Sequence, residues 1–307
     1  MGRRKKGDPV NGWINLDKPE GIGSTQAVGK VRWLLNAQKA GHAGTLDPLA
    51  SGVLPIALGE ATKTIPFCQD ELKTYSFTVK WGEQRSTDDR EGEIIEQSDK
   101  RPAQKDIEAL LPKYTGDIEQ TPPQFSAIKV DGERAYDRAR EGLKTEIKSR
   151  QVHIKSFELT EMREDETDFL VICGKGTYIR ALARDMGQEL GCFGYIKVLC
   201  REAVGPFTRK DAISLAKFEE MEHSAALLPV ETALDDIPAL ALTEQEASRL
   251  RNGQFLSFVS RPDVERLQKA GIDIKDTGIA LAVYKGKAIA LIDVQGVEIK
   301  PHRILNV

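Results

Sequence analysis

The chain has few of the residues that build metal and redox centres. Four cysteines and four histidines are spread through 307 residues. Cys68, Cys173, Cys192 and Cys200 form no C-x-x-C pair. A zinc site gathers closely spaced Cys and His ligands, so this scatter argues against a metal. Free thiols in a reducing cytoplasm are the expected state. No run of 18 apolar residues occurs, which excludes a membrane-spanning helix. The basic start Met1-Gly2-Arg3-Arg4-Lys5-Lys6 is not followed by the apolar stretch of a secretory signal. No G-x-x-x-x-G-K-[ST] spacing is present, and Gly59-Glu60-Ala61-Thr62-Lys63 lacks the Gly-Lys pair of a phosphate loop. Internal repeats and low-complexity tracts are absent too. The net charge of −3 is not that of a chain basic throughout, the footprint of a generic nucleic-acid binder. The charge is uneven, however. Residues 1–40 carry eight Lys or Arg against Asp8, Asp17 and Glu20, so one face can be positive while the other is acidic.

What is present is concentrated in residues 41–56, Gly-His-Ala-Gly-Thr-Leu-Asp-Pro-Leu-Ala-Ser-Gly-Val-Leu-Pro-Ile. The stretch holds one carboxylate (Asp47), one imidazole (His42) and three glycines, and runs into an apolar strand. Glycine lets backbone pass close to a ligand because no Cβ intervenes. Pro48 fixes its own φ and biases Asp47 towards extended backbone. A carboxylate held in a stiff turn suits chemistry at a single reacting centre. An ordinary turn could show the same residue types.

Periodicity and punctuation give an α+β reading. Residues 12–16 read as a short strand, and Ser24 as the cap of a helix running to about Asn36. Residues 53–58 fit a buried strand. In residues 74–81, Tyr75, Phe77, Val79 and Trp81 alternate with polar neighbours, the mark of a half-buried strand. Residues 93–96 predict another strand, and 106–111 a helix closed by Pro112. Residues 151–160 and 168–173 look like paired strands. A helix over 177–190 places Ile179, Leu182, Ala183, Met186 and Leu190 on one side, with Gly191 as its C′ residue. Arg180 falls in its first turn, where a cation opposes the helix dipole. A nearby anion is therefore expected, and Asp47 is the first candidate. Residues 122–150 open at Pro122-Pro123, turn at Asp131-Gly132 and carry many basic side chains with little apolar content. Such a segment is expected to be mobile until a partner orders it. Asp235-Asp236-Ile237-Pro238 reads as a linker. Residues 244–252 predict a helix, and 278–284, 288–294 and 297–304 a three-strand meander.

Five ordered motifs resemble the TruB family of tRNA pseudouridine synthases. The 41–56 stretch resembles the family's active-site motif. Asn15-Leu16-Asp17-Lys18-Pro19-Glu20-Gly21 resembles its N-terminal motif, and Thr74-Tyr75-Ser76-Phe77 the strand with its stacking tyrosine. Lys175-Gly176-Thr177-Tyr178-Ile179-Arg180 resembles its second basic motif, and Leu199-Cys200-Arg201-Glu202-Ala203-Val204-Gly205-Pro206-Phe207 its leucine-bearing strand. Three departures stand out. Gly23 replaces a usual Ser or Thr. Arg85-Ser86-Thr87-Asp88-Asp89 differs from Thr-Asp-Thr, and Cys200 replaces a frequent arginine.

The resemblance implies a pseudouridine synthase fold, with a mixed or antiparallel central sheet flanked by helices and a small C-terminal β-rich, PUA-like domain. It implies a basic tail over 1–10, a catalytic domain over 11–235 with a thumb-like RNA-binding insertion at about 122–150, and an RNA-binding domain over 240–307. The implied reaction is isomerisation of a uridine in the TΨC loop of tRNA, position 55, after the base is flipped out. Asp47 would be the catalytic residue, as nucleophile or as base. Tyr75 would stack on the uracil. Arg180 would pair with Asp47, keeping it ionised and aligned. His42 would hold the flipped geometry, Tyr178 and Leu199 would line the pocket, and Lys18 would support the loop or meet a phosphate. No cofactor, metal, membrane or obligatory protein partner is implied, and a cytoplasmic monomer is expected. The other readings are a guide-RNA-dependent synthase and a non-catalytic tRNA-binding or folding protein.

Overall fold

The structure, a computed structural model, describes residues 7–126, 129–130, 133–134, 146–275 and 277–306. Much of the expected thumb-like insertion, including its charged helix, lies outside the described residues.

The fold is α+β around a mixed sheet, which has ten strands among the described residues. The main path runs Ile213–Ser214, Gly12–Lys18, Ser51–Leu58, Gly194–Val204, Lys73–Trp81, Glu166–Cys173, Arg150–Met162, Gly116–Gln120. Ala40–His42 and Phe207–Thr208 pair at its side. Gly194–Val204 runs parallel to Ser51–Leu58 through Cys200↔Ser51 and Arg201↔Gly52, and antiparallel to Lys73–Trp81. The strand predicted from alternation and the buried strand predicted over 53–58 therefore flank Gly194–Val204 near the centre of the sheet. The apolar faces of these strands form one core with helices Ser24–Leu34 and Ile179–Glu189, including Ile14, Leu54, Phe77, Val79, Trp81, Phe169, Leu182 and Met186.

Helix Ile179–Glu189 begins later than the residues 177–190 read from the sequence, because Tyr178 is still extended at φ −104° and ψ 111°. Its end is as expected: Gly191 takes φ +66°, a C′ conformation that costs glycine nothing. Ser24 is not the cap of the first helix. Gly23 is the N-cap. The Ser24 hydroxyl is spent on the loop before Asp47, donating to the Leu46 carbonyl at 2.8 Å and accepting from the Leu46 amide at 2.7 Å.

Gly52 is the tightest backbone passage. Its φ is +99°, and a Cβ there would lie 2.2 Å from the Arg201 carbonyl and 2.8 Å from the Arg201 amide, both backbone. Neither strand can retreat without opening the parallel pairing. Gly52→Ala should therefore cost more than about 3 kcal/mol in urea unfolding, because strain and steric overlap add. A variant within about 0.5 kcal/mol of wild type would show that the strand shifts freely there.

The chain ends in a second sheet. It takes the order Ala239–Ala241, Thr277–Tyr284, Lys287–Gln295, Glu298–Ile304, Leu256–Ser257. Helices Glu244–Arg251 and Arg261–Lys269 accompany it. The meander is where the sequence placed it. The residues read as a linker follow a short turn, Val230–Leu234, whose Val230, Ala233 and Leu234 are buried with Trp13, Val53 and Phe207 from the main sheet and Leu281, Ala288 and Leu291 from the second. The two sheets thus share an apolar seam, closed by Lys63 donating to the Ile304 carbonyl at 2.6 Å and Glu60 accepting from the Asn306 amide at 2.8 Å.

All four cysteines are buried and free. Burial pushes the Cys68 thiol up to about 12 and the other three to about 11, so they stay protonated at neutral pH. No helix among the described residues is long and apolar enough to cross a membrane.

Candidate active site

The loop from His42 to Ser51 is held from both sides. Ala43 donates to the Pro55 carbonyl at 3.0 Å, Ala50 to the Asp47 carbonyl at 3.1 Å, and Gly21 to the Pro48 carbonyl at 2.8 Å. With Ser24 gripping Leu46, the peptides around Asp47 have little freedom. Lys18 completes the support from beneath. It is fully buried, and its ammonium donates to the carbonyls of Pro19 and Ile22, each at 2.8 Å. Burial lowers its pKa to about 8, with Asp47 pulling the other way. So enclosed, its ammonium is committed to these two carbonyls.

The Asp47 carboxylate projects from this loop and is 37% exposed. Arg180, only 5% exposed, meets it with Nη2 at 2.9 Å from Oδ2. This is the anion demanded by a cation in the first turn of a helix. A second anion, Asp89, lies 3.5 Å from Nη1. The guanidinium also donates to the carbonyls of Thr87 and Phe125, each at 2.9 Å. Its planar fork is thereby fixed by three segments of chain. Burial raises the Asp89 carboxyl, while the Thr87 hydroxyl and Arg180 lower it.

These groups open onto a cavity of about 460 Å³, bordered by Asp47, Tyr75, Ser126, Tyr178, Arg180 and Leu199 among others. That volume falls in the range of small-ligand sites. Tyr75 sits mid-strand opposite Val171 on one side and Arg201 on the other. Burial raises its phenol, and the Arg201 guanidinium, which it contacts, lowers it. Basic side chains line the mouth: Arg150 lies over the Tyr178 ring at 5.0 Å, and Lys175 pairs with Asp70 at 2.7 Å.

Asp47, Tyr75, Tyr178, Arg180 and Leu199 are thus brought together. His42 stands apart from the cavity wall. It is half-buried on strand Ala40–His42, opposite Ile56. Its Nδ1 is enclosed and has no hydrogen-bond partner among the described residues. Burial, then the charge of Arg201, lowers its pKa, which favours the neutral imidazole.

Two charged residues escaped the sequence reading. Arg201 is 1% exposed and ties the strand to the active loop, donating to Val53 at 2.7 Å and Gly44 at 3.1 Å. Its signal was the period of two: Arg201 shares a strand face with Leu199, whereas Cys200, noted for replacing an arginine, faces Ser51 on the other side. Asp89 lay in the segment noted only as a departure. A buried cation bordered by several segments commonly needs more than one acceptor, but the sequence does not show which segments meet.

The pattern of the TruB family pseudouridylate synthase (N terminal domain) matches residues 32–179. That of the tRNA pseudouridylate synthase B C-terminal domain matches residues 180–235. The chain is 48% identical over 332 residues to the tRNA pseudouridine synthase B of Brucella anthropi, covering 100% of this chain and 99% of that one. It is 49% identical over 313 residues to the tRNA pseudouridine synthase B of Sinorhizobium medicae, covering 98% of each. Among solved structures it is similar to a chain of a Cbf5–Nop10–Gar1 complex, with a TM-score of 0.73, 24% identity, and 99% and 91% of the two chains covered. A chain from an H/ACA RNP bound to a substrate RNA containing 2′-deoxyuridine gives a TM-score of 0.70 at 21% identity, covering 100% and 92%. These two likenesses concern the fold. The match of both patterns and the identity of 48–49% to relatives covered almost end to end show the family: the chain belongs to the TruB family of pseudouridine synthases.

Proposed function

We propose that the chain isomerises a uridine of the tRNA TΨC loop, position 55, to pseudouridine, with Asp47 as the essential group. The observation that carries this reading is the Asp47–Arg180 pair, 2.9 Å apart, at a cavity that also presents Tyr75. In the reaction the bond from N1 to C1′ breaks and one from C5 to C1′ forms. The proton leaves C5 and N1 gains one, so nothing is oxidised and no group is lost. The flipped uracil stacks on Tyr75. Asp47 acts on the ribose or on the uracil, either as nucleophile or by removing a sugar proton, while Arg180 holds its carboxylate in line. Tyr178 and Leu199 enclose the base, and the Leu199 backbone reads its edge. His42, at the start of the loop, sits against the RNA near the target and helps hold the flipped geometry. The basic mouth at Arg150 and Lys175 and the N-terminal lysines and arginines meet phosphates. Residues 122–150 serve as the thumb, and residues 240–307 as a PUA-like RNA-binding domain, which their β-rich form and position support. The enzyme works as a cytoplasmic monomer without cofactor, metal or protein partner.

The test is tritium release from an unmodified tRNA transcript carrying uridine tritiated at C5. Release by the purified protein alone is the expected result. Release only on addition of a guide RNA would move the chain to the guide-dependent class. Binding without release would make it a non-catalytic tRNA-binding protein.

A further inference from the structure

Arg180 is not the only enclosed arginine on its helix: a half-buried one lies close by. Arg184 follows it by one turn on helix Ile179–Glu189, and residues four apart on a helix share a face. The pair meets two consecutive acids: Arg180 lies against Asp89 and Arg184 against Asp88, the latter at 3.1 Å. The Arg184 and Asp88 side chains are 15% and 8% exposed. Asp88 sits in a pinned turn at φ +59°, a left-handed conformation that aspartate tolerates better than most residues. Its amide donates to the Arg85 carbonyl at 3.0 Å, and its carbonyl accepts from the Ile196 amide at 3.1 Å. Arg184 reaches further, donating to the Thr121 carbonyl at 2.7 Å, four residues before the Phe125 carbonyl that Arg180 holds.

We propose that the Asp88–Arg184 pair positions the catalytic centre by locking the turn bearing Asp89, and the chain entering Phe125, against the helix that carries Arg180. This rests on the function proposed above. Arg180 takes its place against Asp47 from contacts on three segments, and Arg184 ties two of those, residues 87–89 and 121–125, to the same helix. A slip of the turn would carry Asp89 and the Thr87 carbonyl away from Arg180 and leave it free to rotate off Asp47. The pair has no evident value to stability. Burial raises the Asp88 carboxyl to about 6 even with Arg184 beside it, and a buried ion pair often contributes less than apolar residues of equal volume. What such a pair supplies is geometry. The two residues are positioning residues, since neither borders the cavity.

The test is single-turnover tritium release at saturating enzyme, with tRNA affinity and Tm measured alongside, for Asp88→Asn, Arg184→Met, the double variant and Arg184→Lys. Asparagine keeps the shape and the left-handed turn while removing the charge. Each single variant is expected to slow release about tenfold, by misplacing a reacting group. The double variant should be no more than about twofold slower than the slower single variant, because removal of Arg184 already takes the Asp88 link with it. Affinity should stay within about threefold, and Arg184→Lys should regain part of the rate lost in Arg184→Met. Tm should hold within about 4 °C for Asp88→Asn, whose amide can still accept from Arg184, and fall further for Arg184→Met, which strands the Asp88 carboxylate; release is therefore measured well below each melting range. Rates within twofold of wild type, losses that multiply in the double variant, or a slowing of Asp88→Asn matched by a fall in its affinity or Tm would overturn the proposal. Wild-type protein that releases no tritium would instead overturn the function on which it rests.

Discussion

Asp47→Asn abolishes tritium release while tRNA affinity stays within about tenfold of wild type; this is the largest effect the structure leads us to expect. The amide matches the carboxylate in shape, and the loop that presents it is fixed by backbone hydrogen bonds at Ala43, Ala50 and Gly21, none of which uses the side chain. The geometry therefore survives. Arg180 loses one anion but keeps Asp89 and the carbonyls of Thr87 and Phe125, so it stays placed. What disappears is an oxygen able to attack carbon or take a proton. Binding is spared because phosphate contacts spread over the surface supply most of the affinity for RNA. Filter binding and tritium release on one preparation decide the matter. Turnover retained in this variant would remove Asp47 from the mechanism.

Arg180→Met should damage both rate and fold. Removal of the guanidinium leaves the Asp89 carboxylate, whose side chain is 4% exposed, facing an apolar side chain, and strips two carbonyls of a donor. Breaking a buried pair from one side costs about 3–5 kcal/mol, since the remaining charge is uncompensated. Asp47 adds little to that figure, because it opens to solvent. The rate should fall at least about a hundredfold as the carboxylate loses its alignment. Urea unfolding and single-turnover release measure the two losses separately. A variant as stable as wild type and only a few-fold slower would show that Arg180 neither anchors Asp89 nor aligns Asp47.

The parts of the fold legible in the sequence were those where a single element carried its own signal. Tyr75, Phe77, Val79 and Trp81 alternate, and their strand lies in the middle of the sheet. Gly191 ends a helix because a left-handed residue was needed there. Arg180 in a first turn asked for an anion, and the structure supplies Asp47. What was hidden depends on distant partners. Ser24 looked like a cap, but its hydroxyl answers Leu46, 22 residues away. Helix Arg261–Lys269 was missed because Leu267 is its buried residue and few others are apolar; yet Ser260, which accepts from the Asp263 amide, and Pro262 at its start were readable signals. The charge pairs at Asp88 and Asp89 arise from the crossing of three segments, which no local pattern reports.

The apolar seam joining the two sheets has a consequence for how the molecule comes apart. Val53 lies on the strand that leaves the active loop and Trp13 on the strand paired with it, and the same cluster contains Leu281, Ala288 and Leu291. Cutting the chain before Ala239 would bare that surface to water, so an isolated N-terminal portion is expected to be sticky and to melt below the intact protein. Heating the whole chain should accordingly give one calorimetric transition, with van't Hoff and calorimetric enthalpies in agreement, instead of two separate events. Loss of the tail end of the polypeptide is then felt at the reaction centre through cooperativity, without any contact to the RNA being involved.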